Sequence, residues 1–391
     1  MCDKNWFVNQ FLISRRTVLT GAGVGLLSLS LTGCAFGESS GQGASTGGET
    51  EEESMRRRLG AEWDSHELTV MSWPTELIWG EDTPYVREDI ARVARAIAAF
   101  EPVVMLVTPG EEKDAEYELG SDVEIISMPV DDLWARDTVP MFVETGSGLE
   151  GVDFNFNGWG DKQDHGNDAG VGAAVLREFD IPRVKANLVA EGGSLETDGL
   201  GTLFVTESSI VNDNRNPGLS RDEIEARLID LLGMKKVIWF DGVYGEDITD
   251  AHIDSLVRFT APGVVLLDVP GPGAPDDVWA QSSEQARGVL AEATDARGES
   301  FEVIELPQPD FSLIRGEGDD FLASYVNFYV ANDAVFLPQF GDRKADRRAQ
   351  DILAEQYPDR EIVPLEIDTI ASGGGGIHCA THDMPGEPED A

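Results

Sequence analysis

Apolar residues recur at three- and four-residue spacing in five separate stretches of the chain, the mark of an amphipathic helix with one buried face. These stretches begin near Val86 (VREDIARVARAIAAF), Asp168 (DAGVGAAVLREF), Ser220 (SRDEIEARLIDLLG), Val278 (VWAQSSEQARGVLAEAT) and Lys344 (KADRRAQDILAEQY). The third opens on Ser220 with Glu223 three residues later and closes at Gly233. That pairing predicts a capping box at one end and a glycine stop at the other. A short β-rich run follows each helix: Val103–Val107, Arg183–Val189, Lys236–Phe240, Phe301–Leu306 and Glu361–Ile367. Further β-type runs, Thr202–Thr206, Val264–Val269 and Ser324–Val330, lie between the modules. Five helix-then-strand modules read as an α/β protein, either a structural repeat or a doubly wound sheet.

Polar clusters favour the repeat. Asp131-Asp132-Leu133-Trp134-Ala135-Arg136-Asp137 follows the first module, Glu191-Gly192-Gly193 the second, His252-Ile253-Asp254 the third, and Cys379 the fifth. Modules set around an axis would bring these places to one site, whereas a wound sheet gives no reason for so even a distribution. His252 and Asp254 alternate along AHIDSLVRF, which reads as a strand carrying both on one face.

The ends of the chain carry a different composition. Residues 1–34 read as an export signal: Ser14-Arg15-Arg16-Thr17-Val18-Leu19 is a twin-arginine pattern, and a short apolar stretch runs to about Leu31. Leu31-Thr32-Gly33-Cys34 resembles a lipidation site, so Cys34 is expected to carry a lipid and to anchor the protein outside the cytoplasm. Residues 35–58 are Gly-, Ser- and Glu-rich and read as a flexible acidic tether. The catalytic body is expected over 59–385, with an acidic tail at 386–391. Net charge is −44, from 73 acidic and 29 basic residues, and only seven of the basic ones are lysine. A dispersed acidic surface suits solvation in high salt, and it argues against nucleic acid, whose phosphates need basic patches.

Of the three cysteines, Cys2 and Cys34 fall in the expected leader, which leaves Cys379 as a free thiol within Gly373-Gly374-Gly375-Gly376-Ile377-His378-Cys379. A lone thiol with His and acidic residues elsewhere is a candidate nucleophile; the bland alternative is a small buried core residue. His378 and His382 flank it, yet no second cysteine and no zinc spacing accompany them. With His252 as proton donor and acceptor, and Glu191 to orient the imidazole, Asp137 and Asp254 are left over. Acyl transfer would need oxyanion donors at those positions. Two carboxylates suit a substrate that is itself a planar cation with several N–H groups, and a guanidinium meets that description. The implied chemistry is hydrolysis at the guanidinium carbon through a covalent cysteine intermediate, with no metal or organic cofactor.

The ordered motifs resemble one family. Ala61-Glu62-Trp63 through Met71-Ser72-Trp73-Pro74, then Trp134-Ala135-Arg136-Asp137-Thr138-Val139-Pro140, Phe156-Asn157-Gly158-Trp159-Gly160, Glu191-Gly192-Gly193, Asp247 to Asp254, Asn327-Phe328-Tyr329, Pro338 to Asp342 and the glycine run before Cys379 together resemble the agmatine deiminase family of the guanidino-group-modifying (pentein) superfamily. The resemblance implies a five-bladed α/β propeller of pseudo-fivefold symmetry with its site on the axis. It implies Cys379 as nucleophile, His252 as acid and base, Glu191 orienting His252, Asp137 and Asp254 holding the guanidinium, and Trp134 lining the pocket. The expected product is a ureido compound plus ammonia, N-carbamoylputrescine in the case of agmatine. Two features depart from the pattern: Thr381-His382-Asp383-Met384-Pro385 stands where the family more often has glutamines, and the leader is unusual. They keep open an exported arginine or peptidyl-arginine deiminase, and a non-catalytic guanidino-binding lipoprotein.

Overall fold

A computed structural model describes residues 57–386 except Glu317 and Asp319. The expected leader, Cys34, most of the tether and most of the acidic tail therefore lie outside the described residues. Among the described residues, no helix is long and apolar enough to cross a membrane.

The strands form five separate small sheets that repeat one plan. In each, two strands pair antiparallel, a helix crosses over, and a third strand joins the second in parallel. The second sheet is β4 (Met141–Thr145), β5 (Gly148–Asp153) and β6 (Arg183–Lys185); the third is β7 (Glu196–Thr197), β8 (Thr202–Thr206) and β9 (Lys236–Phe240). The fourth is β10 (Val257–Ala261), β11 (Val264–Val269) and β12 (Glu302–Pro307); the fifth is β13 (Tyr329–Val330), β14 (Ala334–Gln339) and β15 (Glu361–Glu366). The first sheet draws on both ends of the body. Its β1 (His66–Ser72) pairs in parallel with β2 (Val103–Val107), β2 with β3 (Val123–Ser127), and β1 takes its antiparallel partner from β16 (His382–Pro385).

The crossover helices are Thr83–Ile97, Val171–Glu178, Arg221–Leu232, Val278–Glu292 and Arg343–Gln356. Each lies within a few residues of its expected span. Ser220 and Glu223 form the expected capping box, and Gly233 ends that helix in the left-handed conformation at φ 72°. The middle strands β2, β8 and β11 are almost wholly buried runs such as VVMLV and TLFVT, as parallel strands under helices require. Arg57 and Arg58, expected in the tether, already belong to the body: Arg58 exchanges backbone hydrogen bonds with Glu144 and its guanidinium pairs with Glu144 and Asp64.

Three strand expectations differ from the structure. Arg183–Val189 is strand only at Arg183–Lys185. Ser324–Val330 is strand only at Tyr329–Val330; the buried guanidinium of Arg258 takes the Phe328 carbonyl at 2.9 Å in place of a ladder partner. His252 and Asp254 do not sit on a strand. Asp250 and Ala251 turn the chain through left-handed backbone at φ 62° and 64°, and a 3₁₀ turn, Ile253–Ser255, follows. Asp247 Oδ1 takes the Ala251 N–H and Thr249 Oγ1 takes the His252 N–H, so local side-chain bonds hold the turn.

Candidate active site

One rule governs where the reactive residues stand: each follows the last, parallel strand of its sheet. Asp137 comes after β3, Glu191 after β6, His252 and Asp254 after β9, and Cys379 after β15. The fourth sheet contributes Asn327, after β12, which belongs to the Asn327-Phe328-Tyr329 motif but has no role assigned from the sequence. Asn327 Nδ2 donates to Cys379 Sγ at 3.2 Å, and Asn327 Oδ1 accepts the Cys379 N–H at 3.3 Å. The gap in the series of clusters after the fourth module was the signal that could have found it.

Glycine makes the assembly possible at two points. A Cβ on Gly192 would lie 2.1 Å from the Arg136 carbonyl oxygen, so only glycine lets these two loops touch. A Cβ on Gly193 would lie 2.6 Å from His252 Nδ1, 3.0 Å from Asp137 Oδ1 and 3.0 Å from Asp254 Oδ2. Three of the expected site residues thus surround the space where Gly193 has no side chain. Along the glycine run, Gly375 leaves room for the Trp134 ring, whose Cζ3 would stand 2.2 Å from an added Cβ. Trp134 also faces Trp79 at 6.4 Å between ring centres.

The proton-handling groups are closely tied. His252 Nε2 lies 3.3 Å from Glu191 Oε2, and His252 Nδ1 lies 3.8 Å from Asp137 Oδ1. Glu191 is itself held by Arg215, whose Nε donates to Oε1 at 2.9 Å; both side chains are fully buried. Burial alone would raise Glu191, but Arg215 and His252 outweigh it and keep the carboxyl below its usual range. Burial works against the charge of His252, yet Asp137 and Glu191 more than offset it, and the imidazole is pushed up to about 9. It is therefore an imidazolium, a proton donor, at neutral pH.

Asp137 accepts from the Gly193 N–H at 2.9 Å and from Trp159 Nε1 at 2.9 Å. Burial, with Glu191 and Asp254 nearby, nonetheless raises it above the ordinary carboxylate value. Trp159 reaches it from left-handed backbone at φ 55°, a conformation that costs about 1–3 kcal/mol in a residue other than glycine. Asp254 Oδ2 faces Cys379 Sγ at 3.4 Å. Desolvation, then the charges of Asp254 and Asp137, push the thiol well above its usual range. The resting nucleophile is thus a neutral thiol beside the carboxylates of Asp254 and Asp137.

All six residues expected in this site, Cys379, His252, Glu191, Asp137, Asp254 and Trp134, are brought together. Trp159, Arg215 and Asn327 were not assigned roles from sequence. Trp159 lies in a segment that was noted without a role; Arg215, in a run of Asn and Asp, gave no signal at all. Among the described residues, no group of three or more His, Cys, Asp and Glu is arranged to hold a metal ion.

The comparisons with known proteins fit this geometry. The family model for Porphyromonas-type peptidyl-arginine deiminase matches residues 58–385. An agmatine deiminase of Medicago truncatula is 36% identical over 358 residues, covering 83% of this chain and 95% of its own. A Legionella pneumophila protein with a provisional agmatine deiminase assignment is 38% identical over 331 residues, covering 83% of this chain and 94% of its own. Among solved structures, the agmatine deiminase of Enterococcus faecalis superposes with a TM-score of 0.79 at 29% identity, over 87% of this chain and 98% of that one.

Proposed function

This chain belongs to the agmatine deiminase family, whose model is that of the Porphyromonas-type peptidyl-arginine deiminases, and from that premise we propose that it hydrolyses agmatine to N-carbamoylputrescine and ammonia. The observation that carries the proposal is the neutral thiol of Cys379 beside two carboxylates, Asp254 and Asp137, an arrangement that suits a cationic substrate. A guanidinium in the space beside Gly193 pairs with Asp137 and Asp254, and its positive charge draws the thiol toward thiolate. The thiol gives up its proton to solvent, because His252 is already protonated, and the thiolate sulfur adds to the guanidinium carbon. The tetrahedral adduct expels ammonia with a proton from His252, leaving a carbon bound to sulfur and two nitrogens. Water, deprotonated by the now neutral His252, adds to that carbon, the C–S bond breaks, and the ureido product leaves with the thiol regenerated.

We infer the finer architecture as well, a five-bladed α/β propeller of pseudo-fivefold symmetry. Its support is the common strand plan of the five sheets and the common place, after the last strand of each, from which the site residues come. An experimental structure whose sheets do not surround Cys379 would overturn it.

A panel of agmatine, free arginine and an arginine-containing peptide, followed by ammonia and ureido-product release, tests the function. Agmatine is expected to give the highest kcat/KM. Preference for the peptide would move the assignment to protein-bound arginine, and no turnover of any of the three would remove it.

The proton inventory gives a second expectation. Because kcat/KM reports the free enzyme and the required acid is the His252 imidazolium, its alkaline limb is expected near pH 9. Glu191→Gln removes one of the carboxylates that hold the proton on His252. The sign follows: His252 deprotonates at lower pH, so the alkaline limb moves down, with a loss of about tenfold in kcat/KM at pH 8. A pH–rate profile checks this, and an alkaline limb left in place removes His252 as the acid.

A further inference from the structure

Behind the proposed substrate space lies a side chain that the chemistry above does not use. His378 is buried, and both of its ring nitrogens face carboxylate oxygens: Nδ1 stands 2.7 Å from Asp254 Oδ2 and Nε2 stands 2.8 Å from Glu62 Oε2. A neutral imidazole has a single N–H and an ionised carboxylate only accepts, so one of those two contacts requires a second ring proton. Glu62 is fixed as an anion: Arg136 Nη2 donates to Oε2 at 2.8 Å, while Arg258 Nη2 at 2.8 Å and the Val330 N–H at 2.9 Å donate to Oε1. Burial would raise its carboxyl, but Arg258 and His378 outweigh that and hold it well below the usual range.

We propose that His378 is a positioning residue for the deiminase reaction, a standing imidazolium that keeps Asp254 ionised and aimed at the substrate guanidinium. The chain runs from Cys379 Sγ to Asp254, His378 and Glu62, and ends on Arg136 and Arg258. Asp254 Oδ2 is the oxygen that faces both the thiol and His378, so loss of the imidazolium acts on the substrate carboxylate itself. The other charged or titratable groups packed around the pair are His252 and Arg258 on the segment of Asp254, Asp137, Glu196 on β7, and Asp383, which pairs with Arg136. His382, beside them, is pushed down to about 4 by burial and Arg136, and adds no charge at neutral pH.

Burial would raise Asp254, and His378, His252 and Arg258 together hold it low. The sign of the effect is therefore fixed. Without the His378 charge, Asp254 takes up its proton at higher pH, and its own carboxyl ¹³C titration moves upward by about one unit, as loss of a nearby opposite charge allows. KM rises about tenfold and kcat changes less, because a group that holds the substrate guanidinium is no longer aimed at it. His378→Asn keeps a donor near the Nδ1 position and His378→Gln keeps one near Nε2; both remove the charge. The expected result is an upward shift of the Asp254 titration in both. An unmoved Asp254 titration, or full rescue by Asn, means a structural role only and overturns the proposal.

The inference rests on the deiminase reading, so a readout without turnover accompanies the kinetics. In the unmodified protein without substrate, ¹⁵N resonances of His378 at pH 7 are expected at imidazolium positions for both nitrogens, whether or not either variant folds. A neutral tautomer overturns the proposal. An imidazolium in a protein that turns over no guanidino compound would instead remove the deiminase reading and leave His378 charged as described.

Discussion

Cys379→Ser is expected to lower kcat by at least about 10³-fold while leaving agmatine binding within about threefold. The two halves have separate causes. A serine hydroxyl in this site meets the same desolvation and the same Asp254 and Asp137 charges that already push a thiol well above its usual range. A hydroxyl begins several units less acidic than a thiol, so a bound guanidinium cannot bring it to the reactive anion. Binding is different, because the resting thiol is neutral and its replacement leaves the site charge unchanged. Asp137 and Asp254 remain to hold the cation, with Asp137 still fixed by Gly193 and Trp159. Ammonia release measures the first half and calorimetry with agmatine the second. Undiminished turnover in the serine variant would end the covalent mechanism; lost binding would mean the thiol shapes the pocket as well as reacting in it.

The residues that were legible in the sequence are those whose chemistry is scarce. A single free thiol, a His and Asp two positions apart, and an acid before two glycines stand out because a core has little use for them, and all are found in one place. The helices were legible for a different reason, since one buried face imposes its period on the residues themselves. What escaped depends on partners distant in sequence. Nothing in His382–Pro385 announces that it completes the sheet of β1, because pairing across the whole body leaves no local pattern. Arg215 meets Glu191 from 24 residues away, and its run of polar neighbours has no period to read. His252 and Asp254 were placed on a strand by their alternation. The left-handed turn at Asp250 and Ala251 instead brings both around Gly193, an outcome of backbone conformation that side-chain alternation does not encode.

Gly193 carries the other large effect. Gly193→Ala is expected to give a folded protein with a melting temperature within a few degrees of the parent and kcat/KM lower by about 10²-fold or more. The backbone permits alanine, since Gly193 is not among the residues at positive φ, and its N–H can still donate to Asp137. The added methyl points into the space bounded by His252, Asp137 and Asp254, at 2.6–3.0 Å from all three, so these side chains must yield or the substrate must. Displacing reactive groups by about 1 Å is enough to cost about 10²-fold. Gly192 supplies the contrast one residue earlier. Its Cβ would meet the Arg136 backbone oxygen at 2.1 Å, which no side-chain rotation relieves, so Gly192→Ala is expected to lose stability along with activity. Thermal melts beside the kinetics separate the two. If Gly193→Ala keeps activity within about threefold, the guanidinium does not occupy the space beside Gly193, and the placement of Asp137 and Asp254 on either side of it fails.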